Sequence, residues 1–296
     1  MASSPIPLGT RRALRPRVDA ISATRAPQSW RPPRARVAAR TRRTLAALAL
    51  CLVAMGASAS DTAPARTWLW AWERPEDLRF LAGEPHVGVA FHAATVRLDA
   101  RGDATVLRRA HPLLLADATP RIAVVRVERE PRADGSPRYD EQRAHAAVIA
   151  VVREVVALPQ VLGVQLDHDA RESERAAYVR LLGAVRAALP RERTLTMTAL
   201  ASWCTEDQFL DSAAQNVDAI VPMAFAMGRE GPLVRARLRA APFDVSACRA
   251  QLGVSIDEPA LPSRGADVWA FSSRAWTPAR FARLRARTHP PFGGDR

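Results

Sequence analysis

Short runs of β-branched, aliphatic and aromatic residues, each bounded by turn residues, recur from residue 67 to residue 272 and predict β-strands. Eight such runs follow one another along the chain. The predicted strands are Thr67 to Trp72, Val87 to His92, Arg121 to Glu128, Val161 to Asp169, Thr194 to Ala201, Val217 to Phe225, Gln251 to Ile256 and Asp267 to Ser272.

Helical patterns separate several of these strands or follow the last one. They cover Tyr139 to Leu158, Arg171 to Leu189, Thr205 to Ala214, Leu233 to Ala240 and Pro278 to Arg287. Strands that alternate with helices pair in parallel through right-handed crossovers, and eight such units in this length fit a closed barrel. The sequence therefore predicts the α/β class and a distorted (β/α)8 TIM-type barrel. The alternative is an open doubly wound sheet, although no Gly-x-Gly-x-x-Gly follows a strand to supply its usual nucleotide site.

Two connections between predicted strands lack a helical pattern, and for this reason we expect the barrel to be distorted. Thr95 to Leu107 reads as a β-hairpin with its turn at Arg101-Gly102-Asp103. Pro259 to Gly265 is too short for a crossover helix. The barrel is expected to form one domain over residues 60–296.

A three-part secretory signal precedes the predicted barrel. A positive flank of arginines is followed by an apolar run of 12 residues, Thr44 to Met55, and by the small-residue cleavage site Ala57-Ser58-Ala59. Residues 1–39 are rich in arginine and proline and lack apolar periodicity, so residues 1–59 are predicted to be a disordered extension plus a signal peptide. We expect an exported protein, periplasmic or extracellular, without an integral membrane segment after cleavage.

The formal net charge of +13 is concentrated before the barrel. Residues 1–59 hold 11 arginines and one acidic residue, so that 32 arginines and 29 acidic residues follow and leave a net charge of +3. All 43 basic residues are arginine, and none of the predicted elements gathers them into a basic patch. This distribution argues against nucleic acid as a partner, and the sequence predicts no oligomeric state.

Two cysteines, Cys204 and Cys248, follow the signal peptide. In an oxidising compartment an even count favours a disulfide between them, and such a bond contributes ~2–4 kcal/mol when its geometry is unstrained. The alternative is two separate buried thiols.

The fourth predicted strand carries acidic residues at the end where barrel enzymes place their working groups. Strand alternation puts Gln165, Asp167 and Asp169 on the face toward the lumen. Polar groups there need a partner or a use, and two carboxylates on one face raise the pKa of one of them, as a general acid requires. We expect Asp169 to be buried with a raised pKa and Asp167 to be its electrostatic partner. The alternative is that lumen arginines hold these carboxylates as ions.

This strand resembles the Asp-x-Asp-x-Glu strand of chitinase-like glycoside hydrolases, written here as Gln165-x-Asp167-x-Asp169 with a final acid that is one methylene shorter. Val221 to Phe225 resembles the Met-x-Tyr-Asp strand of those enzymes without its Tyr and Asp. Trp269 stands where they place a tryptophan that stacks on sugar. The resemblance implies that Met223, Phe225 and Trp269 contact the substrate.

The order of motifs along the chain is similar to that of an uncharacterised family of exported bacterial barrels that carries only a domain-of-unknown-function label. The motifs are Trp70 to Pro75, Thr198 to Cys204 and Gly253 to Pro259. This second resemblance implies a barrel of the glycosidase type and does not by itself imply catalysis.

Asp257 and Glu258 end the seventh predicted strand. Many retaining glycosidases place the acid on the fourth strand and the nucleophile on the seventh, which makes Glu258, or its neighbour Asp257, a candidate nucleophile opposite Asp169. A retaining pair lies ~5–5.5 Å apart and an inverting pair ~6.5–9.5 Å apart, whereas substrate assistance needs only the Asp167 and Asp169 pair with an N-acetylated sugar. The alternative role of Asp257 and Glu258 is to cap a loop or helix.

Further side chains are candidate substrate contacts. Flat rings at a barrel mouth suit stacking on sugars, and Trp72 and Trp203 are assigned this role. Arg126 and Glu128 end the third strand on one face, where they could bind a sugar hydroxyl or pair with each other. His92 ends the second strand and could donate to a substrate or pack in the core.

The sequence shows no motif for a cofactor, no histidine or cysteine spacing typical of a metal site, and no Gly-x-Ser-x-Gly of a serine esterase. The leading hypothesis is a glycoside hydrolase-like protein that acts on a cell-envelope or extracellular polysaccharide. The alternative is a non-catalytic glycan-binding barrel. The shorter acid at Asp169 and the missing Tyr and Asp at Phe225 and Ala226 favour the alternative, because a carboxyl withdrawn by about 1.5 Å is displaced on a scale that can cost ~10²-fold in rate.

Overall fold

The computed structural model describes residues 66–131, 138–206 and 208–288. The predicted N-terminal extension, signal peptide and cleavage site lie outside these residues. Within the described part of the chain, none of the helices has both the length and the apolar character needed to cross a membrane.

The described residues form strands and helices close to the predicted ones. The strands are β1 (Thr67–Ala71), β2 (Glu76–Asp77), β3 (Val87–Leu98), β4 (Ala104–Arg108), β5 (Leu113–Leu114), β6 (Arg121–Arg129), β7 (Val161–Asp167), β8 (Thr194–Leu200), β9 (Ala219–Met223), β10 (Gln251–Ser255) and β11 (Asp267–Phe271). The helices are α1 (Glu141–Val156), α2 (Arg175–Ala188), α3 (Trp203–Glu206), α4 (Phe209–Ala214), α5 (Gly231–Ala240) and α6 (Pro278–Thr288).

Eight of these strands close into a barrel in the order β1, β11, β10, β9, β8, β7, β6, β3, and β1 pairs with β3 to complete the ring. Every pairing around the ring is parallel. The predicted (β/α)8 barrel is therefore confirmed. The alternative of an open doubly wound sheet is wrong, because an open sheet has two edge strands, whereas β1 here pairs with β3 and closes the ring.

The two predicted departures from a regular barrel are present. β3 continues past a bulge between His92 and Ala94 and pairs antiparallel with β4, so that a hairpin stands between β3 and β6 where a helix would otherwise lie. The hairpin turn contains Gly102 at φ +92°, and a Cβ there would lie 2.5 Å from the carbonyl oxygen of Asp140. The described residues between β10 and β11 also contain no helix.

The core has two parts, as expected of a barrel whose strands bury both faces. The lumen is filled by one cluster of buried side chains, namely Trp68, Trp70, Ala90, Ile122, Val124, Val221 and Trp269. A Cβ at Gly88 on β3 would lie 2.3 Å from the ring of Trp68, so a larger residue at this position would clash with that ring. The larger cluster lies between the strands and the helices, where α1 buries Val148 and Val152.

Helix ends and a disulfide fix the layer outside the barrel. Asp140 caps α1, since its side chain accepts a hydrogen bond from the backbone N–H of Arg143 at 2.9 Å. Cys204 in α3 and Cys248 before β10 are joined by a disulfide with a Cα to Cα distance of 5.9 Å. The predicted pairing is confirmed, and it ties the segment after β8 to the segment before β10.

Candidate functional site

A cavity of about 650 Å³ opens at the carboxyl ends of the barrel strands. Its walls combine aromatic rings, acidic groups and small polar side chains. They are formed by Trp70, Trp72, Arg74, Arg126, Asp167, Asp169, Leu200, Met223, Phe225, Ala226, Ser255, Asp257, Glu258, Phe271, Ser272 and Ser273. This volume falls within the ~300–1,000 Å³ of small-molecule sites, and we call it the main cleft.

Aromatic rings form the apolar wall of the main cleft. The rings of Trp70 and Phe271 stack with their centroids 4.4 Å apart, and Phe225 lies against Phe271 at 4.2 Å. Trp70 is almost fully buried beneath its neighbours, whereas Trp72, Phe225 and Phe271 remain partly exposed. Three ring surfaces are thus accessible to a ligand in the cleft.

Asp167 is the buried acid of the site. Its side chain ends β7 on the lumen side with 7% of the residue exposed, and the Thr198 hydroxyl on β8 donates to its Oδ1 at 2.8 Å. Burial raises the pKa of Asp167 to about 6, although the Thr198 hydrogen bond and the Arg126 guanidinium, 3.6 Å from Oδ2, act in the opposite direction. The charges of Asp169 and Glu128 add to the increase of this pKa.

Asp169 lies in the loop after β7 and lines the main cleft. The expectation that Asp169 is buried is wrong: β7 ends at Asp167, and Asp169 is exposed although its neighbours His168 and Ala170 are buried. Within the described residues its carboxylate has no ion pair or hydrogen bond. The group with the raised pKa is therefore Asp167, and Asp169 is the free carboxylate at the mouth.

Asp257 and Glu258 also line the main cleft, but their carboxylates are engaged. Partial burial alone would raise the pKa of Asp257, yet the backbone N–H and hydroxyl of Ser273 and the Arg280 guanidinium outweigh it and lower this pKa to about 2. Arg283 adds a second guanidinium 3.2 Å from Asp257.

Glu258 is engaged through both of its oxygens. Oε1 accepts the backbone N–H of Ala226 at 2.8 Å, and Oε2 accepts from the Arg235 guanidinium at 2.8 Å. Ala226 has φ +51°, so this contact stabilises a left-handed turn after β9. The alternative drawn from the sequence, that Asp257 and Glu258 cap loops, thus agrees with the contacts that both residues make. For Glu258 to act as a nucleophile, its contact to Ala226 or to Arg235 would have to break.

Gln165 and Trp269 face the lumen below the main cleft and do not line it. Trp269 stacks on Trp68 with centroids 5.3 Å apart, and its Nε1–H donates to Oε1 of Gln251 at 2.7 Å. Placing Trp269 against the substrate is therefore wrong: Phe271, two residues nearer the strand end, presents the ring to the cleft. Gln165 is fully buried, and neither polar atom of its amide has a hydrogen-bond partner among the described residues.

Arg126 lines the main cleft and contacts Trp72, Glu128 and Asp167. Its guanidinium lies 5.7 Å from the ring centroid of Trp72, and its Nε donates to Glu128 at 3.0 Å. Glu128 also accepts from Arg97 at 2.8 Å, and it faces a smaller chamber beside the main cleft rather than the cleft itself. Arg126 and Glu128 pair with each other, as one of the sequence alternatives predicted.

His92 and Trp203 do not reach the main cleft, so their predicted substrate contacts are not formed by this geometry. His92 is buried between Glu73 at 3.0 Å and Thr95 at 2.9 Å, and burial lowers its pKa despite the Glu73 carboxylate. Trp203 is buried in α3, where its ring packs edge-on against Phe209 at 5.2 Å. Met223, in contrast, lines the cleft as predicted.

Eight of the sixteen residues that line the main cleft were not assigned to it from the sequence, and Trp70, Phe271 and Arg74 are the largest of them. Trp70 precedes Trp72 by two residues, and Phe271 follows Trp269 by two, so strand alternation places each beside a ring already singled out. Arg74 donates to the carbonyl oxygens of Ser272 and Arg274, which ties the loop after β1 to the loop after β11. No sequence pattern signals that last contact. Among the described residues, no group of three or more histidine, cysteine or acidic side chains is arranged to hold a metal ion.

Solved structures with a related chain path include chitinase barrels at low identity. A chitinase from Bacteroides thetaiotaomicron is 10% identical with a TM-score of 0.43, covering 65% of this chain and 68% of that one. The C-terminal domain of ChiA from Legionella pneumophila is 9% identical with a TM-score of 0.43, covering 68% of this chain and 78% of that one. The spore cortex-lytic enzyme of Bacillus cereus is 15% identical with a TM-score of 0.40, covering 65% and 51%, so the chain spans about half its length.

No curated protein sequence gives a significant match to the chain. Residues 117–281, more than half of the chain, match a family described as a domain of unknown function, DUF3142. This match covers β6 to β11 and most of the groups that line the main cleft. The sequence expectation of a domain-of-unknown-function family is thereby confirmed, and the chain belongs to the DUF3142 family.

Proposed function

We propose that the protein binds a glycan chain in the main cleft. The observation that carries the proposal is that three accessible rings, Trp72, Phe225 and Phe271, line one open cavity together with acidic groups and serine hydroxyls. Rings stack on the C–H faces of sugars, while carboxylates and hydroxyls satisfy the sugar hydroxyls at the edges. Because the Asp257 and Glu258 carboxylates are engaged by arginines, binding requires fewer rearrangements than cleavage through either carboxylate.

The test is a binding screen of the full chain against soluble polysaccharides and oligosaccharides by calorimetry. Trp72→Ala should weaken binding about tenfold or more, since it removes one accessible ring. Leu233→Ala is the control, because Leu233 on α5 is 76% exposed and outside the cleft. Absence of binding to every glycan, or equal effects of the two substitutions, contradicts the proposal.

Hydrolysis of the bound glycan is the second candidate function, and the pair formed by Asp167 and Asp169 favours it. Burial keeps the pKa of Asp167 at about 6, so this group can carry a proton beside the free carboxylate of Asp169. The route that uses only this pair is substrate assistance by an N-acetyl group: the proton held on Asp167 passes through Asp169 to the leaving-group oxygen, and Asp169 then takes a proton back from the water that completes the hydrolysis. Direct attack by Glu258 would first require loss of its contact to Arg235 or Ala226.

Release of new reducing ends from N-acetylated glycans separates cleavage from binding. If the protein is a hydrolase, Asp169→Asn abolishes this release while the protein still binds the glycan. Glu258→Gln should then reduce the release much less than Asp169→Asn. Retention of full activity by Asp169→Asn would eliminate the acid role of Asp169.

Export of the barrel is part of the proposal. Residues 1–59 would act as extension and signal peptide and residues 60–296 as the barrel domain in the periplasm or outside the cell. The disulfide between Cys204 and Cys248 supports this location, because such bonds persist in oxidising compartments. N-terminal sequencing of the protein from cell fractions tests it: a first residue near Ser60 is expected, and uncleaved protein confined to the cytoplasm would contradict it.

A further inference from the structure

A smaller chamber of about 210 Å³ adjoins the main cleft. Arg126, Asp167 and Asp169 line both spaces, so the two acids lie at the boundary between them. The volume is below the ~300–1,000 Å³ of complete small-molecule sites, and it therefore suits one end of a longer ligand rather than a separate ligand. We call it the side chamber.

The walls of the side chamber are held in place by contacts within the protein. Arg129 stacks on the ring of Tyr139 at 3.9 Å and lies 3.7 Å from Glu174. His168 is buried, with its Nδ1 2.8 Å from the carbonyl oxygen of Val127. These groups are positioned before any ligand arrives, which reduces the entropy lost on binding.

Two charged groups of the side chamber are free to meet a ligand. Within the described residues, the guanidinium of Arg171 and the carboxylate of Asp169 have neither an ion pair nor a hydrogen bond, and both residues are exposed. One group only donates hydrogen bonds and the other, when ionised, only accepts them. Together they match sugar hydroxyls, which donate and accept, better than a ligand group of either charge.

We propose that the side chamber is a second sugar subsite, in which Arg171 and Asp169 hydrogen-bond the hydroxyls of a neutral sugar. This inference rests on the proposed glycan binding in the main cleft. A glycan that fills both spaces places one sugar against the aromatic wall and the next in the side chamber. The bond between these two sugars then crosses the Asp167 and Asp169 pair.

The test measures how affinity depends on ligand length. Calorimetry of the full chain uses chitin, cellulose and xylan oligosaccharides of one to six sugars, with oligogalacturonates and chitosan oligosaccharides as acidic and basic counterparts. Wild-type affinity should increase with length and favour the neutral series. Arg171→Ala should weaken binding of the long neutral oligosaccharides about tenfold, the loss of one charge-assisted hydrogen bond, and leave the shortest bound ligand unaffected.

Arg153→Ala is the matched control, because Arg153 is an exposed arginine on α1 and outside both spaces. It should bind every ligand as the wild type does. If oligosaccharides bind but Arg171→Ala weakens all lengths equally or none, or if a charged series binds more tightly than the neutral one, the second subsite is disproved and the proposed function stands. If no glycan of any length binds, the proposed function itself fails and the subsite with it.

Discussion

The hydroxyl of Thr198 donates to Oδ1 of Asp167 over 2.8 Å, between adjacent barrel strands and beneath the main cleft. This hydrogen bond stabilises the ionised carboxylate and so works against the burial that raises the pKa of Asp167. The protonation of Asp167 near neutral pH is therefore set by a balance between burial, which raises its pKa, and the Thr198 hydroxyl and the Arg126 guanidinium, which lower it.

Removal of that hydroxyl should shift the balance. Thr198→Val is expected to raise the pKa of Asp167 further above its present value of about 6, because the ionised form loses its donor. Carboxyl-carbon NMR titration measures this pKa directly. Thr196→Val is the control, since Thr196 is buried on the same face of β8 and its hydroxyl has no partner among the described residues. An unchanged pKa in Thr198→Val would show that the hydroxyl does not stabilise the carboxylate.

The raised pKa of Asp167 also predicts how stability depends on pH. Because the pKa is about 6 in the folded protein against an ordinary 3.8, Asp167 contributes stability that is complete below pH ~4 and is lost as the pH rises through ~6. The loss amounts to about 3 kcal/mol. Asp167→Asn cannot ionise, so its free energy of unfolding relative to wild type should increase from pH 4 to pH 7. Parallel stability curves for the two proteins would be inconsistent with the raised pKa.

Asp257 should behave in the opposite way. Its pKa is about 2, below the ordinary 3.8, because hydrogen bonds from Ser273 and the charge of Arg280 outweigh partial burial. Its stabilising contribution is therefore present above pH ~4 and is lost as the pH falls toward 2. Wild type should lose more stability than Asp257→Asn between pH 4 and pH 2, as measured by urea denaturation. Equal losses would mean that Ser273 and Arg280 together do not stabilise the ionised carboxylate of Asp257 in solution.

Substitutions of Trp269 and Trp72 should have different effects, the first on stability and the second on glycan binding. Trp269→Phe is expected to lower the free energy of unfolding by ~1–3 kcal/mol, because it leaves space beside Trp68 and removes the hydrogen bond to Gln251. Its glycan affinity should match that of the wild type, whereas Trp72→Ala loses affinity. A loss of affinity in a folded Trp269→Phe protein would show that Trp269 does contact the glycan.

The disulfide between Cys204 and Cys248 should contribute measurable stability. The bond closes a sequence separation of 44 residues, for which a loss of ~2–4 kcal/mol is expected when it is removed. The double substitution Cys204→Ala and Cys248→Ala should lower the midpoint of urea unfolding, and reduced wild type should unfold at a similar midpoint. Reduced and oxidised proteins of equal stability would show that the bond adds nothing.

The sequence by itself determined the barrel and the direction of the residues within its strands. Eight apolar runs separated by turns and helices leave few ways to bury both faces of every strand, and closure is the one that removes free edges. The period of two then fixed Gln165 and Asp167 toward the lumen, and the hairpin pattern at Thr95 to Leu107 marked where a crossover helix is missing.

The tertiary structure alone decided how far along each strand the cleft begins. Depth in a barrel depends on the stagger between neighbouring strands, which a linear pattern does not contain. For this reason Trp269 was expected at the mouth but lies beneath it, while Phe271 reaches the cleft. The pattern also did not show where β7 ends: the strand stops at the buried Asp167 and leaves Asp169 exposed beyond it.

The partners of the acidic groups were likewise decided by tertiary structure. Arg280 on α6 holds Asp257 from 23 residues away, and Arg235 on α5 holds Glu258 from the same separation in the opposite direction along the chain. Arginines are spread along the whole sequence, and nothing local distinguishes those two from the rest. Whether a carboxylate is free to act or held as an ion depends on which distant side chain the fold brings within about 3 Å, and this contact exists only once the helices pack on the barrel.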